Sequence, residues 1–139
     1  MRHESATPAR RRRAPGLFLL LAALLTGPAA ALPVSDALGG DAERGAAVYE
    51  RCQACHSLTR NRTGPKHCGL IGRRAGGVEG FAYSKALRDS GILWDAASLD
   101  RFLENPFAAV PGTRMGYAGV KDPQERADLI AFLAAAGEC

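Results

Sequence analysis

The chain is poor in aromatic residues: phenylalanine, tyrosine and tryptophan make up 6% of 139 positions, and Trp94 is the one tryptophan. Methionine is scarcer, with only Met1 and Met115. No stretch alternates apolar and polar residues for long enough to read as a strand, which argues against a sandwich or barrel. The longest apolar run, Leu17 to Leu25, is short of the roughly 20 residues that a membrane-spanning helix needs. There is no internal repeat. Excess positive charge is also missing once the N-terminus is set aside. Arg2 and Arg10 to Arg13 supply five of 18 basic residues and Glu4 one of 14 acidic ones, so the remainder balances at 13 and 13. With no basic-aromatic interleaving either, nucleic-acid binding is excluded.

What the N-terminus has is order. A polar, basic "RHESATPARRRR" precedes the apolar "GLFLLLAALL", and "TGPAAA" ends in small residues at Ala29 to Ala31. That is the layout of a secretory signal, expected to be cleaved after Ala31. A retained anchor is the competing reading, and the arginine run lacks the continuation expected of twin-arginine export. Residues 32–40 read as a short linker and 41–139 as one domain in an exported, periplasmic protein. A domain of that length can bury a core without much margin, and a large prosthetic group would add apolar contact.

Helical signals punctuate the domain. Asp41 is a candidate N-cap for a helix over about 41–53. A short helix in "YSKALRDSG" stops at Gly91, and Asp95 caps another that presents Leu99, Phe102 and Leu103 on one face before Pro106 ends it. Asp122 and Pro123 open the clearest helix, with Leu129, Ile130, Phe132 and Leu133 apolar. Between them, residues 57–82 are dominated by helix breakers, six glycines and a proline, and "FAAVPGTRMGYAGVK" reads as a second loop. The prediction is all-α: three or four helices separated by long glycine-rich loops.

The stretch Cys52-Gln53-Ala54-Cys55-His56 carries the chemistry. C-x-x-C-H is the signature of covalent haem attachment, in which two thiols add to the porphyrin vinyl groups and the next residue offers an imidazole to the iron. A redox dithiol expects a β-α-β context that is absent here. A zinc site completed by His67 or Cys68 lacks a second ligand pair at metal spacing. An iron held by one imidazole has a second open face. Met115 is the only thioether left after the leader, and His/Met coordination raises the reduction potential. His67 is the rival for that position, and a loosely packed core residue is the bland reading of Met115.

Together "GDAERGAAVYERCQACH", "RTGPKHCGLIGRRAG", "GFAYSKALRDSGILW", "LDRFLENP", "VPGTRMGYAGVK" and "ERADLIAFL", in this order, resemble the class I cytochromes c of the mitochondrial-like and photosynthetic-bacterial branch. The resemblance implies the cytochrome c fold, with crossing terminal helices and one covalently bound haem c in a slot between loops. It implies Cys52 and Cys55 as thioether anchors, His56 as the proximal ligand and Met115 as the distal one. Pro65 corresponds to the residue whose carbonyl accepts the proximal imidazole N–H, and Arg73, Tyr83, Trp94 and, more weakly, Thr113 to residues that bond or neutralise a haem propionate. Gly45 and Tyr49 match the point where the terminal helices meet, near Leu129 and Phe132.

Several positions depart from that pattern. His67 stands where the family usually has an apolar residue, often leucine. Phe102 replaces a tyrosine near the methionine ligand, Leu87 replaces an asparagine, and the loop between His56 and Thr63 is shorter. The positive rim is thin, with Lys66, Lys85, Arg88 and Arg114 as candidates, so docking should be weakly steered and less salt-sensitive than in basic relatives. Cys68 and Cys139 are thiols the family generally lacks; the family fold brings these places close, which implies a Cys68–Cys139 disulfide in an oxidising compartment. The resemblance implies a monomeric, non-enzymatic soluble electron carrier. Its implied partners are a quinol–cytochrome c reductase as donor and a terminal oxidase or reductase as acceptor, with membrane contact only through them. A five-coordinate ligand-binding or peroxide-activating protein, and a subunit of a larger dehydrogenase, are the alternatives.

Overall fold

The computed structural model describes residues 39–137. The expected leader, its cleavage point and most of the linker lie outside them, as does Cys139.

Aspartates start three of the helices, as the sequence predicts. Asp41 caps α1 (Ala42–Tyr49), its carboxylate accepting from Arg44 N at 2.8 Å. Asp95 opens α3 (Ala96–Glu104) in a reciprocal capping box with Ser98, after the short α2 (Lys85–Asp89), which Ser84 caps. Asp122 caps α5 (Pro123–Ala135), with Pro123 in the first turn. A 3-10 turn, Glu50–Cys52, prolongs α1 into the cysteine motif.

Pro106 does more than end α3. The Asn105 side chain accepts from Ala108 N, and Pro106 opens a further helix, α4 (Pro106–Ala109). The loop expected from Phe107 is therefore helical at its start, and the described residues hold five α-helices rather than three or four. Proline lacks an N–H that the first turn has no use for, so the same residue that stops one helix can begin the next.

The heaviest helix–helix contact is between α1 and α5. A Cβ placed on Gly45 would stand 2.0 Å from the Asp128 carbonyl oxygen and 2.8 Å from the Phe132 Cβ, so only glycine admits this approach. Tyr49 packs its ring 4.9 Å from that of Phe132, and Leu129 and Ile130 are fully buried behind them. Burial of such side chains contributes about 1.5–3 kcal/mol each.

A carboxylate closes the same joint. Asp128 is buried and accepts from Asp41 N at 2.7 Å, from Arg44 Nε and Nη2 at 2.8 and 2.9 Å, and from Gln124 Nε2 at 3.0 Å. The Arg44 hydrogen bond, aided by the other donors against the cost of burial, holds its pKa down at about 2. An unfolded aspartate titrates near pH 4, so this stabilisation is complete above about pH 4 and is lost as the pH falls toward 2. Arg44 is 59% exposed, so solvent screening discounts that contribution. Thermal melts across that window should show the loss in the native chain and a flatter profile in Asp128→Asn.

The glycine-rich loop is ordered by its backbone. Ser57 and Leu58 carbonyls accept from His67 N and Cys68 N at 3.0 and 2.9 Å. Farther on, Gly72 N and Ala75 N donate to Trp94 O and Ile92 O, both at 2.8 Å, around an isolated antiparallel bridge between Arg74 and Leu93. Gly69 N donates to Gly137 O at 2.6 Å, which ties the loop to the end of α5. Cys68 is disulfide-bonded; its expected partner, Cys139, lies outside the described residues. Among the described residues no helix is long and apolar enough to cross a membrane.

Candidate haem site

The cysteine motif is a helical turn. His56 N and Cys55 N both donate to Cys52 O, at 2.9 and 3.1 Å. Positions three and four apart on such a turn share a face, which is why two thiols and an imidazole at this spacing reach one cavity. That cavity has a volume of about 810 Å³, and all nine residues singled out in the sequence line it: Cys52, Cys55, His56, Pro65, Arg73, Tyr83, Trp94, Thr113 and Met115. Leucines 70, 87, 99, 103, 129 and 133, with Phe102, make most of the remaining wall. An apolar chamber of this size is matched to a large flat hydrophobic group with few polar substituents.

His56 is buried, and its Nδ1 lies 2.8 Å from Pro65 O. A carbonyl can only accept, so Nδ1 carries the proton and Nε2 keeps a bare lone pair. Burial lowers the His56 pKa, partly offset by the Pro65 bond. Gly64 N donates to Cys55 O at 2.7 Å, which brings the Gly64-Pro65 backbone against the ring. A Cβ on Gly64 would stand 2.3 Å from His56 Cε1 and 2.6 Å from each ring nitrogen. Those near-equal distances place it over the ring's face. Nothing in the local sequence marks Gly64 for this role; its signal is only that it precedes the proline whose carbonyl holds the imidazole.

Met115 is half-buried and lies in the loop between α4 and α5. Its N–H donates to Thr113 Oγ1 at 3.3 Å, and the far end of the loop is fixed by Val120 N to Leu103 O at 2.8 Å. Arg126, buried, reinforces that end by donating to the Val120 and Lys121 carbonyls at 3.0 Å and to Asp100 at 2.7 Å.

Arg73 donates to Cys68 O at 2.8 Å and Lys66 O at 2.9 Å, and among the described residues it forms no ion pair. Burial lowers its pKa. Tyr83 and Trp94 are buried alongside, Trp94 with its ring 5.0 Å from that of Phe102. A cation, a phenol and an indole on an otherwise apolar wall are what a carboxylate-bearing hydrophobic group requires.

His67 does not face His56 across the cavity. Its ring lies 4.1 Å from that of His56, centroid to centroid, 23° from parallel. Two imidazoles on opposite sides of an ion, each about 2 Å from it, have their ring centres roughly 6 Å apart. His67 is thereby removed as the rival to Met115. Burial, with the neighbouring His56 and Arg73 adding to it, pushes the His67 pKa down to about 3. Among the described residues no group of three His, Cys, Asp or Glu side chains is placed to hold a metal, against the zinc reading. Burial raises the Cys52 pKa, unlike the lowered value of a reactive redox thiol.

The Cytochrome c family model matches residues 42–136, from the start of α1 to the end of α5. The chain belongs to the cytochrome c family. It is 43% identical over 113 residues to cytochrome c2 of Rhodomicrobium vannielii, covering 79% of this chain and 90% of that one. With cytochrome c2 of Blastochloris viridis it shares 42% over 121 residues, covering 85% and 87%. Among solved structures it resembles cytochrome cH from Methylobacterium extorquens, with a TM-score of 0.68 and 42% identity over 69% of this chain and 99% of that one. Cytochromes c are electron carriers, and their cofactor, haem c, is attached here through Cys52 and Cys55. The fold is the all-α cytochrome c fold expected from the motifs.

Proposed function

We propose that this cytochrome c is a monomeric periplasmic carrier with an iron ligated by His56 and Met115. The observation that carries the reading is the single cavity lined by both cysteines, by an imidazole whose Nε2 is left free, and by the chain's one internal thioether. Bound there, haem c supplies a one-electron Fe(III)/Fe(II) couple. Pro65 fixes the His56 tautomer. Arg73, Tyr83, Trp94 and Thr113 serve the propionates. His56 and Met115 would together leave the iron no free position for a substrate, so the reading is a carrier and not an enzyme. The leader-like N-terminus supports export and cleavage. The resemblance supports a quinol–cytochrome c reductase as donor and a terminal oxidase or reductase of a respiratory chain as acceptor.

The positive residues on the cavity lining and on the adjoining α2 are modest in number and partly engaged. Arg51 pairs with Glu125 at 2.7 Å, Lys85 pairs with Asp89, and Arg114 donates to Ala82 O. This supports docking that depends little on long-range steering.

The test is the absorption spectrum of the haem-loaded protein. The oxidised form should show the weak sulfur-to-iron charge-transfer band, and the reduced form should not take up added carbon monoxide. No band, with ready ligand binding, would move the reading to an open-site haem protein.

A further inference from the structure

We propose that His67 is a positioning residue: its ring clamps the His56 imidazole against the Gly64 backbone and sets the plane in which the proximal ligand faces the haem.

His67 is costly where it stands. Its Nδ1 is buried and, among the described residues, has no hydrogen-bond partner. A buried polar atom left unpaired costs about 1–3 kcal/mol, which a leucine would avoid. Polar bonding of Nδ1 therefore does not account for the side chain. What it makes instead is ring contact: with His56 at 4.1 Å and 23°, and with Tyr49 at 5.7 Å and 60°.

The Gly64 backbone already covers one face of His56, so close that a Cβ there would approach to 2.3 Å. One face of a five-membered ring has no room for both a backbone segment and a stacked ring, so His67 takes the other. The Pro65 carbonyl holds the ring by its edge at Nδ1, which fixes the tautomer but resists rotation of the ring only weakly. Contacts on both faces resist it directly, because rotation drives one face into Gly64 and the other into His67. A branched aliphatic side chain would touch the same face with rounded methyl groups and define no plane. The backbone keeps the clamp in register: His67 N donates to Ser57 O, beside His56 itself.

This inference rests on His56 being an axial ligand. The orientation of an axial imidazole governs the spread and order of the haem-methyl proton shifts and the g-anisotropy of the oxidised protein, neither of which is activity. The haem-loaded wild type, His67→Leu and His67→Phe are compared by proton NMR and EPR. Leucine removes the stack, whereas phenylalanine keeps a flat ring without the nitrogens. We expect a changed methyl-shift order and altered g-values in His67→Leu, with the wild-type pattern retained in His67→Phe. An unchanged pattern in His67→Leu overturns the proposal. So does an altered pattern in His67→Phe, which would assign the effect to the nitrogens. Should His67→Leu fail to load haem, the phenylalanine variant alone decides. A wild type that lacks the sulfur-to-iron band fails the Met115 assignment of the proposed function, leaves His56 and this comparison standing, and is distinguishable from either result.

Discussion

Gly45→Ala should lower the thermal midpoint by on the order of 10–20 °C. The added Cβ would come within 2.0 Å of a backbone oxygen on α5 and 2.8 Å of the Phe132 Cβ. Neither obstacle is a flexible side-chain tip, so α1 and α5 must separate. Alanine regains about 1 kcal/mol of helix propensity over glycine. Overpacking costs typically 1–3 kcal/mol and more where backbone must move, and here the separation also lengthens the Asp128 bonds to Asp41 and Arg44. A net loss of about 2–3 kcal/mol is a large part of a domain's stability, and each kcal/mol shifts the midpoint by about 4–8 °C at this size. A melt followed by circular dichroism decides the matter; an unchanged or higher midpoint would mean the crossing is looser than described.

Met115→His should lower the reduction potential by on the order of 0.1–0.3 V, inside the range of about 0.8 V that axial ligands span, and abolish the sulfur-to-iron band. A thioether is a soft, neutral ligand that favours Fe(II), whereas imidazole favours Fe(III) more. The variant should fold, because the Met115 backbone bond to Thr113 and the Val120 and Arg126 anchors do not use the thioether. Potentiometric titration reads the shift. A potential within a few hundredths of a volt of wild type would exclude Met115 as a ligand. Phe102 and Leu87 line the same cavity.

The chemistry was more legible than the loops that hold it. Five contiguous residues named the cofactor, and one scarce residue type made Met115 the candidate for the second axial position. Aspartate caps and apolar spacing located α1, α3 and α5, because capping and burial are local or periodic effects. Pro106 misled: local sequence reports that proline stops a helix and is silent on whether Asn105 will cap the next. The glycine-rich loop was opaque because its order comes from pairing with residues 92–94 and 137, which no side-chain period records. Gly64 and His67 were opaque for a related reason. Each acts on His56 only after the chain has turned back, and His67 in isolation resembles a candidate ligand rather than a stacked neighbour of one.

Leu129 and Leu133, on α5, complete the chamber that Cys52 and Cys55 open. A nascent chain emerges in numerical order, so both cysteines are in the open more than seventy residues before the last wall exists. A prosthetic group retained by shape alone would have to wait for that wall. A thioether tether needs only the local turn at 52–56, which lets assembly begin on an unfinished polypeptide and leaves the late helix to seal around what is already fastened.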